Sequence, residues 1–170
     1  MNFRLLLTTA FFGLMTGCGS LPPPAEPAAS PAQAALQFVP VEALNADVRQ
    51  ATIQQTICVS GYTASVRPST AYTNRVKLKL LRERGLPASA VSEFELDHRI
   101  PLALGGHPRS PQNSMLQPWE GNDGAKVKDR LERRLQRLVC SGKLLLDDAR
   151  RAIYVDWQSA YRTYVETAPQ

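Results

Sequence analysis

The N-terminal 40 residues hold no pattern that a packed core can use, and this decides which part of the chain folds. Met1–Arg4 carries one cation, and Leu5–Met15 is an unbroken run of apolar and small hydroxyl residues. A run of roughly a dozen such residues is too short to cross a hydrocarbon core, which needs about 20. It reads as the n-region and h-region of a signal peptide occupying residues 1–17. Residues 18–40 are rich in Ala and Pro (Pro22, Pro23, Pro24, Pro27, Pro31, Pro40). Such a segment has little to bury and favours extended, polyproline-like conformations, so it reads as a tether. The folded domain is expected over residues 41–170. With 44% hydrophobic and 21% charged residues, the chain has the composition of a soluble globular protein.

Leu14-Met15-Thr16-Gly17-Cys18 resembles the bacterial lipobox. The resemblance implies that Cys18 is lipidated and becomes the mature N-terminus. Gly19-Ser20 after it, in place of Asp, imply an outer-membrane lipoprotein facing the periplasm. The alternative is an ordinary secreted protein cleaved nearby. Loss of Arg4 with the signal peptide lowers the net charge from +5 to +4. Export also changes how the remaining cysteines read, because disulfides persist outside the cytosol. Cys58 and Cys140 are the two left after lipidation and are expected to pair, which stabilises a loop of this length by roughly 4 kcal/mol in the chain-entropy model. The alternative, a nucleophilic cysteine, has no histidine near either position in sequence to activate it.

Within the domain, Val41–Gln54 is expected to begin with a short helix, and Thr56-Ile57-Cys58-Val59 to form a short strand ending at Gly61. A helix is predicted over residues 69–84, capped by Ser69 or Thr70, with Tyr72, Val76 and Leu80 spaced by four. Gly85-Leu86-Pro87 stops it. Glu93–Ile100 reads as a strand, Pro101–Gly106 as the return half of a hairpin, and His107–Asp123 as loop. Ala125–Cys140 is an amphipathic helix with Val127, Leu131, Leu135 and Leu138 on its apolar stripe, closed by Gly142. A last helix is predicted over residues 146–165, with Ala149, Ile153, Trp157 and Tyr161 as core.

Composition excludes some chemistries. Three cysteines and two histidines cannot build a zinc finger or ribbon. Only 7% aromatic residues argue against a stacking platform for single strands. A net charge of +5 and a pI near 9.4 fit an anionic partner as well as plain solubility.

One constellation carries chemistry: Glu95-Leu96-Asp97-His98-Arg99-Ile100-Pro101, Gly105-Gly106, Asn113, and Asn122-Asp123 before the Ala125 helix. Asp is a hard oxygen ligand for Mg²⁺, and His is the side chain best placed near pH 7 to take a proton. Neighbours on a strand point to opposite faces unless a bend redirects one, and Pro101 and Gly105-Gly106 supply distortion nearby. An Asn on the facing loop could accept from His98 Nδ1–H and leave Nε2 free. A second oxygen ligand from Asn122 or Asp123 would complete a partly hydrated metal site. Those parts suffice for metal-assisted hydrolysis of a phosphodiester. Alone, each piece is unremarkable: Glu95 reads as a solvent-facing strand carboxylate and His107 as an exposed loop histidine.

In this order the residues resemble the HNH, or ββα-metal, nuclease family, with Asn113 15 residues after His98 and Asn122 nine later. The core of the likeness covers residues 93–130. The runs ICVSGYT, ELDHRIPLALGG, LQPW, KDRLE and VCSGKL extend it, towards exported bacterial HNH-like proteins, over most of residues 55–160. The resemblance implies an α+β fold with a small ββα-metal hairpin-plus-helix core surrounded by additional helices. It implies a low-specificity, metal-dependent endonuclease acting on DNA, with RNA as an alternative, and one divalent ion, Mg²⁺ first and Mn²⁺ next. Asp97 becomes a metal ligand, His98 the general base, Asn113 the residue that positions it, and Asn122 the second ligand, with Asp123 as its rival. Many members carry His at that last position, which this chain lacks. Lys126, Arg130, Arg133 and Arg137 form a basic stripe suited to phosphates, and Arg99 is expected at the scissile phosphate. No small-molecule cofactor is expected, and the protein is expected to be a monomer. The competing reading is a catalytically inactive envelope lipoprotein that keeps the HNH fold as a binding module.

Overall fold

A serine cap and a glycine stop bound the first long helix, as the sequence predicts. The computed structural model describes residues 39–167; the expected signal peptide, Cys18 and most of the expected tether lie outside the described residues. A short helix α1 (Tyr62–Val66) leads into α2 (Thr70–Glu83), where the Ser69 hydroxyl accepts from Tyr72 N. Gly85, at φ 69°, turns the chain out of α2. A 3-10 turn over Ala88–Ser92 then delivers it to β1 (Phe94–His98). β1 pairs antiparallel with β2 (Ser114–Pro118), with Phe94 opposite Pro118 and His98 opposite Ser114. Helices α3 (Ala125–Cys140) and α4 (Leu146–Tyr161) follow. Mixed helix with one two-stranded antiparallel sheet makes the described residues α+β.

Two corrections concern the strands. Thr56–Val59 is not a strand but a chain of turns, with Cys58 N donating to Ile53 O and Val59 N to Thr56 O. Ile57 is fully buried there, and burial on one anchored side suits a turn as well as a strand. Pro101–Gly106 is not the return strand. It folds as a 3-10 turn, Leu102–Leu104, closed by Gly105 in the left-handed region. Leu104 N donates to Pro101 O and Gly105 N to Leu102 O, so the segment satisfies its backbone within the turn and has no ladder to offer β1, while Leu102 and Leu104 are both buried. The return strand is β2, inside the stretch that reads as loop.

The two faces of the hairpin meet different layers. Phe94 and Leu116 pack with Leu81 of α2 and Ala90. The main core lies elsewhere, where Leu131, Leu135 and Val139 of α3 meet Ile100, Leu104, Leu146 and Ile153. α3 has the predicted span, and Gly142 at φ 71° closes it. α4 breaks at Asp156 (φ −155°, ψ 89°), whose carboxylate accepts from Ser159 N and Oγ and so caps the resumed helix. The buried Arg150 of α4 stitches the Leu102–Leu104 turn in place, donating to Leu104 O at 2.8 Å and Val48 O at 2.9 Å. Cys58 and Cys140 lie at disulfide distance, with sulfurs 1.97 Å apart, and fasten the Cys58 turns to the end of α3.

Candidate functional site

His98 is the last residue of β1 and is almost wholly buried. Its Nε2 lies 3.2 Å from Pro108 O. A carbonyl can only accept, so Nε2 carries the proton and Nδ1 is the basic nitrogen. This reverses the expected tautomer. Burial pulls the imidazole below its ordinary pKa, against the Pro108 bond and the Asp97 charge. Near neutral pH the ring is therefore an uncharged base.

Asn113 makes no side-chain hydrogen bond to the His98 ring. Its side chain is fully buried: Oδ1 accepts from Ile100 N at 2.8 Å, while Nδ2 donates to Ile100 O at 2.9 Å and His107 O at 3.1 Å. Asn113 therefore ties both ends of the loop between the strands, the loop that presents Pro108 to His98. Its hold on the base runs through the backbone. Gly106 belongs to the same lock, because a Cβ there would stand 1.8 Å from Ile100 O and 2.6 Å from Asn113 Nδ2. His107 caps its own loop, its Nδ1 accepting from Arg109 N.

Asp97 faces the other layer. Its Oδ1 accepts from His98 N at 2.7 Å and its Oδ2 from Lys128 Nζ at 2.9 Å. The Lys128 side chain is only 1% exposed, and the same ammonium reaches His98 O and the Glu132 carboxylate. Burial alone would lower its pKa, but the Glu132 and Asp97 charges outweigh that and hold it above the ordinary lysine value. Lys128 is the principal residue that the sequence reading misses. Its signal is its spacing: with Ala125, Leu131 and Leu135 it lies on the buried stripe of α3, a cation where an apolar residue belongs.

Asn122 and Asp123 are exposed and line a cavity of about 380 Å³ beside Arg130 and Trp157. Asp123 accepts from Gln158 through Oδ1 and from Gln117 through its backbone carbonyl. Among the described residues no group of three His, Cys, Asp or Glu is placed to share a metal ion. Both oxygens of Asp97 already hold protein donors, one of them an ammonium that balances its charge. As arranged, the donor set expected for a divalent ion does not fit one.

No family model, curated protein or solved structure matches this chain.

Chemistry must therefore be read from the residues themselves. His98 stands in the wall of a cavity of about 240 Å³, shared with Arg67, Thr70, Asn74 and Lys77 from the α1–α2 side and with Glu95 of β1. Glu95 is not a solvent-facing strand carboxylate. Burial, with Asp97 and Asp129 nearby, pushes its carboxyl up to about 7. Arg99 is elsewhere: it lines a cavity of about 350 Å³ with Lys128 and Ile153. Within β1, Asp97 and His98 point to opposite faces; β1 ends at His98, and Arg99 follows in a bend, its N donating to Asn113 O and its side chain lining the cavity on the α3–α4 side.

The basic stripe of α3 is largely engaged within the protein. Lys126 pairs with Glu120, Arg130 stacks over Tyr161 at 5.0 Å, and Arg133 lies 3.6 Å from Asp129. Arg137, in the last turn of α3, stays exposed.

Proposed function

We propose that this chain is a nuclease of the HNH type that hydrolyses phosphodiester bonds of nucleic acid with low sequence specificity. The observation that carries the reading is His98: a buried, uncharged imidazole with Nε2–H fixed on Pro108 O and Nδ1 left basic, at the edge of a cavity with cations around it. The order β1, loop lock at Asn113, β2 and α3 supports it. In this reading His98 Nδ1 takes a proton from water as the water oxygen bonds to phosphorus. The phosphorus–oxygen bond to the leaving sugar breaks, and that oxygen is protonated from solvent. DNA is the favoured substrate. The lipobox-like run ending at Cys18 supports a lipid-anchored protein of the bacterial envelope, outer-membrane and periplasm-facing.

The test is cleavage of plasmid DNA and of RNA by the purified protein, with EDTA, with Mg²⁺ and with Mn²⁺. Wild type cuts, and His98→Ala reduces the rate by at least about 10²-fold, the usual scale for a positioned acid–base group. Failure of wild type to cut under every condition overturns the enzyme reading. A second reading is favoured by one specific contact: Lys128 neutralises Asp97. On that reading the scaffold binds nucleic acid and does not cut it, and binding without cleavage is its expected result.

A further inference from the structure

Lys128 of α3 is spent on Asp97, Glu132 and His98 O, and the cations that share the His98 cavity, Arg67 and Lys77, come from the α1–α2 side. We propose that the cavity between β1 and α2 seats the phosphodiester and that Arg67 is the residue that grips it. This rests on the nuclease reading above and says which surface the substrate strand crosses.

Four observations carry it. Arg67 sits at the junction of α1 and α2, directly before the buried Pro68, so its backbone is anchored while its side chain is exposed. Among the described residues Arg67 makes no hydrogen bond or ion pair, in contrast to Lys126, Arg130 and Arg133. Its charge is close enough to act on both His98 and Glu95. Thr70, Asn74 and Lys77 follow at positions that share one face of α2, and all three line the same cavity as His98.

The chemistry of the lining suits a phosphodiester. A guanidinium offers a planar fork of donors that matches two non-bridging phosphate oxygens, and it stays charged at any working pH. Asn74 adds a neutral amide donor without a partner among the described residues. The Lys77 ammonium holds Phe94 O at 2.9 Å and adds charge to the same cavity wall. Glu95 is the opposing group, and it disfavours a freely diffusing polyanion less strongly when protonated. A cavity of about 240 Å³ falls below the roughly 300–1,000 Å³ of pockets that enclose a whole small ligand. It fits one link of an extended chain with the neighbours lying outside. Arg99, in the bend after β1, lines a different cavity from His98 and is not placed to share its phosphate.

The experiment uses the full-length protein carrying His98→Ala, so that substrate is not consumed, and a fluorescein-labelled oligonucleotide as single strand and as duplex. Anisotropy gives Kd across a salt series. Arg67→Ala is expected to weaken binding at least tenfold and to make the salt slope shallower by about 0.7–0.9, the loss of one phosphate contact. Arg67→Lys should keep the slope. Lys143→Ala, an exposed cation outside both the α3 stripe and this cavity, should change neither quantity. Arg67 is exposed, and an unchanged melting temperature confirms that the variant is folded. If the parent binds and Arg67→Ala binds equally well, the inference is wrong while the nuclease reading stands. If the parent binds no nucleic acid and wild type cuts none, both fall together.

Discussion

Replacing Lys128 with Met tests whether a buried ammonium holds the hairpin to α3. Met keeps the length and apolar character of the side chain and removes only the charge and its three donors. The structure sets the cost. Lys128 is 1% exposed, and its loss leaves the Asp97 and Glu132 carboxylates, 14% and 16% exposed, without a counter-charge. His98 O also loses the donor that lies 2.8 Å away. Breaking one side of a buried ion pair costs about 3–5 kcal/mol, because the partner charge stays behind. Both carboxylates retain an opening to water, which favours the lower end, about 3 kcal/mol. For a domain of this size that corresponds to a fall of roughly 10 °C in Tm. The assay is urea unfolding followed by far-ultraviolet circular dichroism at pH 7. Adding Asp97→Asn and Glu132→Gln to Lys128→Met removes the stranded charges and should recover at least half of the loss. A single variant within 1 kcal/mol of wild type, or a triple variant no better than the single, refutes the ion-pair account.

Two further outcomes follow from the same contacts. Cys58→Ser/Cys140→Ser opens a loop whose ends are 82 residues apart, and the variant should lose up to about 4 kcal/mol in the same unfolding assay; free thiols at both positions in the native exported protein would contradict the pairing. Glu95 has a folded-state pKa near 7, above its ordinary 4.5, so the fold prefers its protonated form and stability is lost as pH rises from about 4.5 to 7. Glu95→Gln should therefore melt with wild type at pH 4 and above it at pH 8, and a difference in Tm that does not change with pH would count against burial as the cause.

Sequence alone determines what is local. The cap at Ser69, the stop at Gly85 and the closure at Gly142 each depend on residues within one turn, and the structure has all three where they are predicted. The span of α3 follows in the same way from its apolar spacing, and the first strand from its alternation. The Cys58–Cys140 pairing was legible because the signal-peptide-like and lipobox-like start of the sequence, read as an expectation of export, leaves two thiols to pair. Tertiary structure decides where chain segments distant in sequence meet. Whether Pro101–Gly106 or Ser114–Pro118 returns beside β1 depends on the turn that Leu104 anchors in the core supplied by α3 and α4, where Arg150 holds Leu104 O. Asn113 is a turn residue by composition, and it becomes a lock only because Ile100 and His107 converge on its amide. Lys128 reads as one more helix cation until Asp97, 31 residues earlier, is brought to 2.9 Å. Arg99 adjoins His98 in sequence while Arg67 lies far from it, yet Arg67 shares its cavity and Arg99 does not. The extended backbone separates neighbours onto opposite faces, and only the packing of helices on each face decides which distant side chain takes the vacated place.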